Sequence, residues 1–323
     1  MQVFTSLAEI PADFGPSAVT IGKFDGVHAG HRAVIAELHS MADAAGLTPT
    51  VVTFDRNPLA LLRPELCPEP LLSNAQKLER LTEVGIGATL MLTFDRALSQ
   101  ESPEEFIQGV LVDALHAKIV LVGADFRFGA RGAGTVDTLI EAGARYGFEV
   151  RRVHEVLADT GRRASSTWVR EALARGDIRE ASAVLGHLPS VRSIVVPGEK
   201  RGREMGFPTA NLKPGVEGLI PADGVYAGWL TVDGTVYPAA ISIGDNPTFE
   251  GVPARQVEAY VLDEDIDLYG KTVEVSFFDR LRGMVKYTTI EALIEQLRQD
   301  VEDTRVLLAE APLPGREGTG LPA

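Results

Sequence analysis

The chain has a single cysteine, Cys67, in 323 residues. No internal disulfide can brace the fold, and a reducing cytoplasm suits such a chain. Histidine is scarce as well, at six, and no second His/Cys pair has the spacing of a zinc site. No apolar run approaches the length of a membrane span, and Met1–Glu9 lacks the basic start and long apolar stretch of an export signal. Positive charge is in deficit: 31 Lys and Arg against 45 Asp and Glu leave a formal net charge of −14, which argues against a general nucleic-acid surface. The Gly-Lys-Ser/Thr ending of a Walker A loop is also missing from the Gly/Arg-rich stretch at 198–206. Apolar content of 45% is ordinary for a globular chain, and the length favours two domains over one.

Against this background Thr20–Arg32 stands out. Ala18, Val19 and Ile21 form an apolar strand, Gly22–Gly26 a turn, and Val34, Ile35, Leu38 and Met41 a helical stripe. His28 and His31 then fall near a helix N-terminus, where free N–H groups and partial positive charge suit a phosphate chain. Gly26, Ala29 and Gly30 allow close approach to the backbone. Two plainer readings stay open: half of a metal site, since i and i+3 share a helix face, or histidines that only cap the helix.

The alternation continues: strands at Thr48–Asp55, Ala88–Phe94, His116–Gly123 and Phe148–Val156, with helices from near Ser73, from Ser102 and over Val136–Tyr146. This predicts a doubly wound parallel sheet, whose ligands bind beyond the strand carboxyl ends. His28, Asp55 and Asp125 each follow a strand. Ser165-Ser166-Thr167 opens another helix with Arg170 one turn in, a second candidate phosphate clamp.

After a short helix and hinge at Gly176–Gly186 the pattern changes to consecutive strands, with Asp233-Gly234 as a hairpin turn. An antiparallel barrel is predicted, followed by one helix carrying Ile290, Leu293, Ile294, Leu297, Val301 and Leu308, and a Gly/Pro-rich tail from Pro312. Gly198, Gly202 and Gly206 permit a flap, to which Lys200, Arg201 and Arg203 add charge. Thr209 and Asn211 follow, oxygen donors of the kind Mg²⁺ accepts beside nucleotide phosphates. Glu258 lies in a strand, on the face opposite Val257 and Ala259; a lone strand glutamate is usually solvent-facing.

Taken together these motifs resemble the bacterial bifunctional riboflavin kinase/FAD synthetase (FMN adenylyltransferase) family. The likeness runs from about Val19 to Arg305, through Gly22-x-Phe24-Asp25-Gly-Val-His28-x-Gly30-His31, Val122–Gly129, Ser165–Arg170, Gly206–Asn211 and Ile243–Phe249. It implies a Rossmann-like nucleotidyltransferase domain over 1–186 and a riboflavin kinase barrel over 187–323. In the first, His28 and His31 would contact ATP phosphates, Ser166, Thr167 and Arg170 would hold the triphosphate, and Asp125 with Phe126 and Phe128 would lie near the flavin. In the second, Glu258 would take the proton from the ribityl 5′-hydroxyl, with Pro208, Asn246 and Arg282 also in the matching segments. Riboflavin, FMN and ATP are the implied small-molecule partners and FAD the product, with Mg²⁺; homo-oligomerisation is left open. One departure is Arg56-Asn57 where the family usually has Pro-His. Asn57 cannot carry charge, so a kinase acting alone is one competing reading, and a flavin-binding protein without turnover is another.

Overall fold

The computed structural model describes residues 1–153, 162–198, 202, 205–245 and 255–315. They belong to two compact units, Met1–Ala164 and Ser165–Ala323.

The first unit holds six strands, β1 (Gln2–Phe4), β2 (Ser17–Ile21), β3 (Thr48–Phe54), β4 (Ala88–Leu92), β5 (Ala117–Val122) and β6 (Glu149–Arg152). Their order is β1-β4-β3-β2-β5-β6, every neighbouring pair parallel. β2 and β4 are buried along their whole length, as befits strands covered on both faces. Helix α1 (Ala29–Ala45) buries Ile35, Leu38 and Ala42 and ends on Gly46 in the left-handed region. Short α2 (Leu59–Leu62) follows β3, and α3 (Asn74–Glu83) starts from a Ser73/Gln76 capping box. A second such box, Ser102 with Glu105, starts α4 (Pro103–Phe106), whose backbone widens into a π-helical stretch over Ile107–Ala114. Helix α5 (Val136–Tyr146) leads into β6. From β2 the chain steps outward through β3 to β4, and from β5 to β6 it steps the other way. The order therefore reverses between β2 and β5, and the turns after those two strands share the crevice where open α/β sheets bind ligands.

The second unit opens with α6 (Ser166–Arg175) and α7 (Ile178–Leu185). It continues as β7 (Ser190–Val196), β8 (Ala210–Leu212), β9 (Gly224–Val232), β10 (Thr235–Asp245), β11 (Arg255–Val261) and β12 (Thr272–Arg282). These close into an antiparallel barrel in the order β10-β11-β8-β7-β12-β9. Asp233 and Gly234 both take positive φ, 50° and 78°, the geometry a two-residue hairpin needs. Helix α8 (Ile290–Leu308) follows, N-capped by Thr289. Its apolar stripe predicts burial along its whole length, yet Ile290 is 64% exposed and the most buried residues are Asp300, Thr304 and Leu308. Polar pairing seats this part of the helix: Arg282 on β12 donates to both Asp300 carboxylate oxygens, at 2.8 and 2.7 Å. Two strands escape the sequence reading. β1 is too short to show alternation, and β8 is hidden inside a stretch read only as a flap. No helix among the described residues is long and apolar enough to cross a membrane.

Barrel closure depends on one close approach. A Cβ on Gly228 of β9 would run into the Ser276 carbonyl of β12 and press on Ile241. Gly228→Ala should therefore destabilise the second unit by about 2 kcal/mol, read as a lower unfolding midpoint by circular dichroism.

Candidate functional site

The turn after β2 is compact because its backbone bends sharply. Phe24 (φ 49°), Gly26 (φ 87°) and Val27 (φ 41°) all enter the left-handed region, and the buried Phe24 ring anchors the loop. His28 N-caps α1: its Nδ1 accepts the His31 backbone N–H at 3.4 Å. An accepting Nδ1 leaves the proton of the neutral ring on Nε2. The two imidazoles stack, centroids 3.7 Å apart and 21° between planes, and Phe24 packs on His31 at 4.9 Å. Gly30 makes room for this, since a Cβ there would press the His28 ring at 3.1 Å. Gly22 does the same for Phe24. Capping and ligand binding are therefore not rival roles for His28, because the cap occupies one ring nitrogen only.

Both histidines are held uncharged. Burial, aided by the Arg163 guanidinium, pushes His28 down to about 4. Burial also drives His31 well below its ordinary value, with further repulsion from His28, Arg163, Lys77 and Lys23. His31 Nδ1 is buried and has no hydrogen-bond partner. Two neutral imidazoles with Arg163, Lys77 and Lys23 acting on them make a setting suited to a polyanion.

Around them the strand ends are tied together. Asp25 accepts the Leu71 N–H at 2.8 Å, and Asp55 accepts the Phe94 N–H at 2.9 Å. Burial favours the neutral Asp55 carboxyl, but Arg56 and the Phe94 N–H outweigh it and hold the group below its usual range. Asn57 turns its side-chain oxygen to the Leu59 N–H at 3.1 Å, so that oxygen serves the local turn. After β5, Asp125 is exposed and lies 3.7 Å from Arg163. Phe126 stacks on Phe128, but Phe128 is itself core, 8% exposed, so Phe126 and Asp125 are the more accessible of the three. Ser165 N-caps α6 through the Trp168 N–H at 3.3 Å; Ser166, Thr167 and Arg170 occupy the first two turns of that helix, in the second unit.

In the barrel, strand register does the positioning. Glu258 on β11 is paired with Asn211 on β8, and Thr209 donates to the Glu258 carboxylate at 3.3 Å. The Asn211 amide donates to the Thr209 carbonyl at 3.2 Å, while its oxygen accepts from Gln256 at 2.9 Å. Gln256 escapes the sequence reading, although it sits two residues before Glu258 on the same strand face. Gly198 lies against the Asn211 amide, where a Cβ would come within 2.5 Å, and Gly202 abuts the Phe207 carbonyl. Gly206 (φ 87°) turns the chain into Phe207-Pro208. Gly198, Gly202, Pro208, Thr209 and Asn211 line one cavity with Glu264, Asp265 and Tyr269. Of these last three, Glu264 and Asp265 carry no motif and could not be found from sequence, whereas Tyr269 belongs to the Asp267–Gly270 segment that resembles the family. Arg282 is neutralised within the fold by Asp300. Lys200, Arg201, Arg203 and Asn246 lie outside the described residues.

A hydroxyl, an amide oxygen and one neighbouring carboxylate are hard donors, a set that fits Mg²⁺ shared with phosphates better than an all-protein cage. Among the described residues no group of three or more His, Cys, Asp or Glu could hold a metal.

An open parallel sheet with its polar turns at the switch point, joined in one chain to a barrel with a carboxylate set beside Thr209 and Asn211, defines a two-module nucleotide transferase. Known proteins agree. A family model described as FAD synthetase matches residues 10–168, and one described as riboflavin kinase matches 185–308. The bifunctional riboflavin kinase/FMN adenylyltransferase of Listeria monocytogenes is 36% identical over 298 residues, covering 90% of this chain and 92% of its own. That of Pseudomonas fluorescens is 35% identical, covering 96% and 98%. The chain belongs to the bifunctional riboflavin kinase/FMN adenylyltransferase family. A solved structure from Streptococcus pneumoniae, described as a macrolide-efflux protein, shares the fold with a TM-score of 0.83 and 32% identity, covering 94% of this chain and 98% of that one.

The buried histidines have a consequence for stability. A folded-state pKa of about 4 for His28 against 6.5 unfolded means that the unfolded chain binds the proton more readily. The first unit should thus keep its full stability above about pH 6.5 and lose about 3 kcal/mol as pH falls towards 4. His28→Asn keeps a cap acceptor but no titrating ring, and should make that slope shallower in pH-dependent denaturant unfolding, leaving the part due to His31.

Proposed function

We propose that this chain makes FMN from riboflavin and ATP in the barrel, with ADP released, and FAD from FMN and ATP in the first unit, with pyrophosphate released. The observation that carries the proposal is the pairing in one chain of two chemically different sites: stacked neutral imidazoles among cations, and a carboxylate hydrogen-bonded to Thr209.

In the first unit an FMN phosphate oxygen attacks the α-phosphorus of ATP and pyrophosphate leaves. His28, its proton on Nε2, and His31 donate to phosphoryl oxygens, more strongly as charge builds in the transition state. Lys23 and Arg163 balance the charge of the departing pyrophosphate. Gly22 and Gly30 leave room for the Phe24 and His28 rings that shape the phosphate side, and Asp125 with Phe126 lies on the flavin side. Asn57 adds a polar group without charge.

In the barrel the ribityl hydroxyl attacks the γ-phosphorus, and Glu258 orients it and takes its proton. Thr209 and Asn211 would hold Mg²⁺, which neutralises phosphate charge when bound. Neither reaction calls for a covalent enzyme intermediate; positioning and charge neutralisation drive direct transfer. We place the functional boundary at 186/187, assigning 1–186 to FAD synthesis and 187–323 to the kinase, and a cytoplasmic setting suits the lone, unpaired Cys67.

The test is incubation with riboflavin and Mg-ATP, followed by separation of the flavins. FAD supports both reactions, FMN alone supports only the kinase, unchanged riboflavin overturns the kinase, and unchanged riboflavin together with added FMN left unconverted overturns both. His31→Ala should leave FMN accumulating, with FAD formation down about 100-fold. Glu258→Ala should stop FMN formation and spare FAD synthesis from added FMN. Equal loss of both steps in both variants would overturn the division of labour.

A further inference from the structure

Lys77 on α3 is only 7% exposed, a burial that an ammonium group seldom accepts without partners. Its Nζ donates to the Phe54 carbonyl at 2.9 Å, at the carboxyl end of β3. The carboxylates of Asp25 and Asp55, just past β2 and β3, act on it electrostatically. Each carboxylate also fastens a further segment: Asp25 holds the Leu71 N–H ahead of α3, and Asp55 holds the Phe94 N–H past β4. Asn74, one turn before Lys77, donates to the Asp55 carbonyl at 2.8 Å. The ends of β2, β3 and β4 and the start of α3 are thus tied to one another beside the Lys77 ammonium group.

Resting on the adenylyltransferase reading above, we propose that Lys77 is a positioning residue for FAD synthesis, its charge locking the ends of β2 and β3 to α3 within electrostatic reach of His31. A hydrogen bond to Phe54 alone would need no charge, since a glutamine could supply it at lower desolvation cost. The charge matters because of what it faces. His31 feels Lys77 together with His28, Arg163 and Lys23, and each disfavours its protonated form. Lys77 is itself pushed down by burial and held up by Asp25 and Asp55. Removing its charge should let His31 take a proton at higher pH and loosen the loops that carry Asp25 and Asp55.

The test uses the full chain and three substitutions. Lys77→Gln keeps a donor for Phe54 without charge, Lys77→Met removes both, and Lys77→Arg keeps the charge. FAD formation from FMN and Mg-ATP is followed from pH 5 to 8, with riboflavin phosphorylation by the same samples as a control. Lys77→Gln should lower kcat about 10- to 100-fold with KM for ATP within about threefold. It should also move the acidic limb of the pH profile upward, while FMN formation is unchanged and Lys77→Arg restores the limb. If Lys77→Met does not fold, Lys77→Gln still separates charge from hydrogen bond. Lys77→Gln matching the wild type in rate and pH limb would overturn the proposal alone. A wild-type chain that makes FMN but no FAD would overturn the adenylyltransferase reading, and this proposal with it.

Discussion

Desolvation of two imidazoles beside fixed positive charge is the constraint on which the first unit depends. His28 and His31 stay neutral because they are taken out of water and face Arg163, with Lys77 and Lys23 adding to the field at His31. Protonating either imidazole would place a desolvated charge beside those cations, which burial makes costly. Nearby, the Asp25, Asp55 and Asn74 hydrogen bonds tie the ends of β2, β3 and β4 to one another and to the start of α3.

The barrel solves a different problem. Strand pairing holds the Glu258 carboxylate without a rigid loop: Glu258 is opposite Asn211 because β11 and β8 share a register. A slip of one residue would turn Glu258 to the other face. The hydrogen bonds from Thr209 to Glu258 and from Gln256 to Asn211 then fix the rotamers.

Much of this was legible in the sequence where local rules suffice. Capping boxes at Ser73 and Ser102 mark helix starts, and Asp233-Gly234 marks the hairpin, because each depends on residues within one turn of each other. Other features were not legible because their causes lie far along the chain. Phe126 and Phe128 look alike in sequence, yet one packs into the core and the other is only half-buried. Arg282 reads as a cation ready for a phosphate until Asp300, eighteen residues on, is found against it. Lys77 looks like an ordinary surface lysine of an amphipathic helix.

By itself, then, the order of residues determined most of the helices and strands, though not β1 or β8, that parallel and antiparallel sheets follow one another, and which polar groups sit at strand ends. Those are consequences of periodicity and local hydrogen bonding, which act over a few residues. Only the tertiary structure decided which charges are desolvated, which are neutralised and which remain to meet a ligand. The reason is that solvation and Coulomb interaction depend on distance through space, and distance along the chain does not report it.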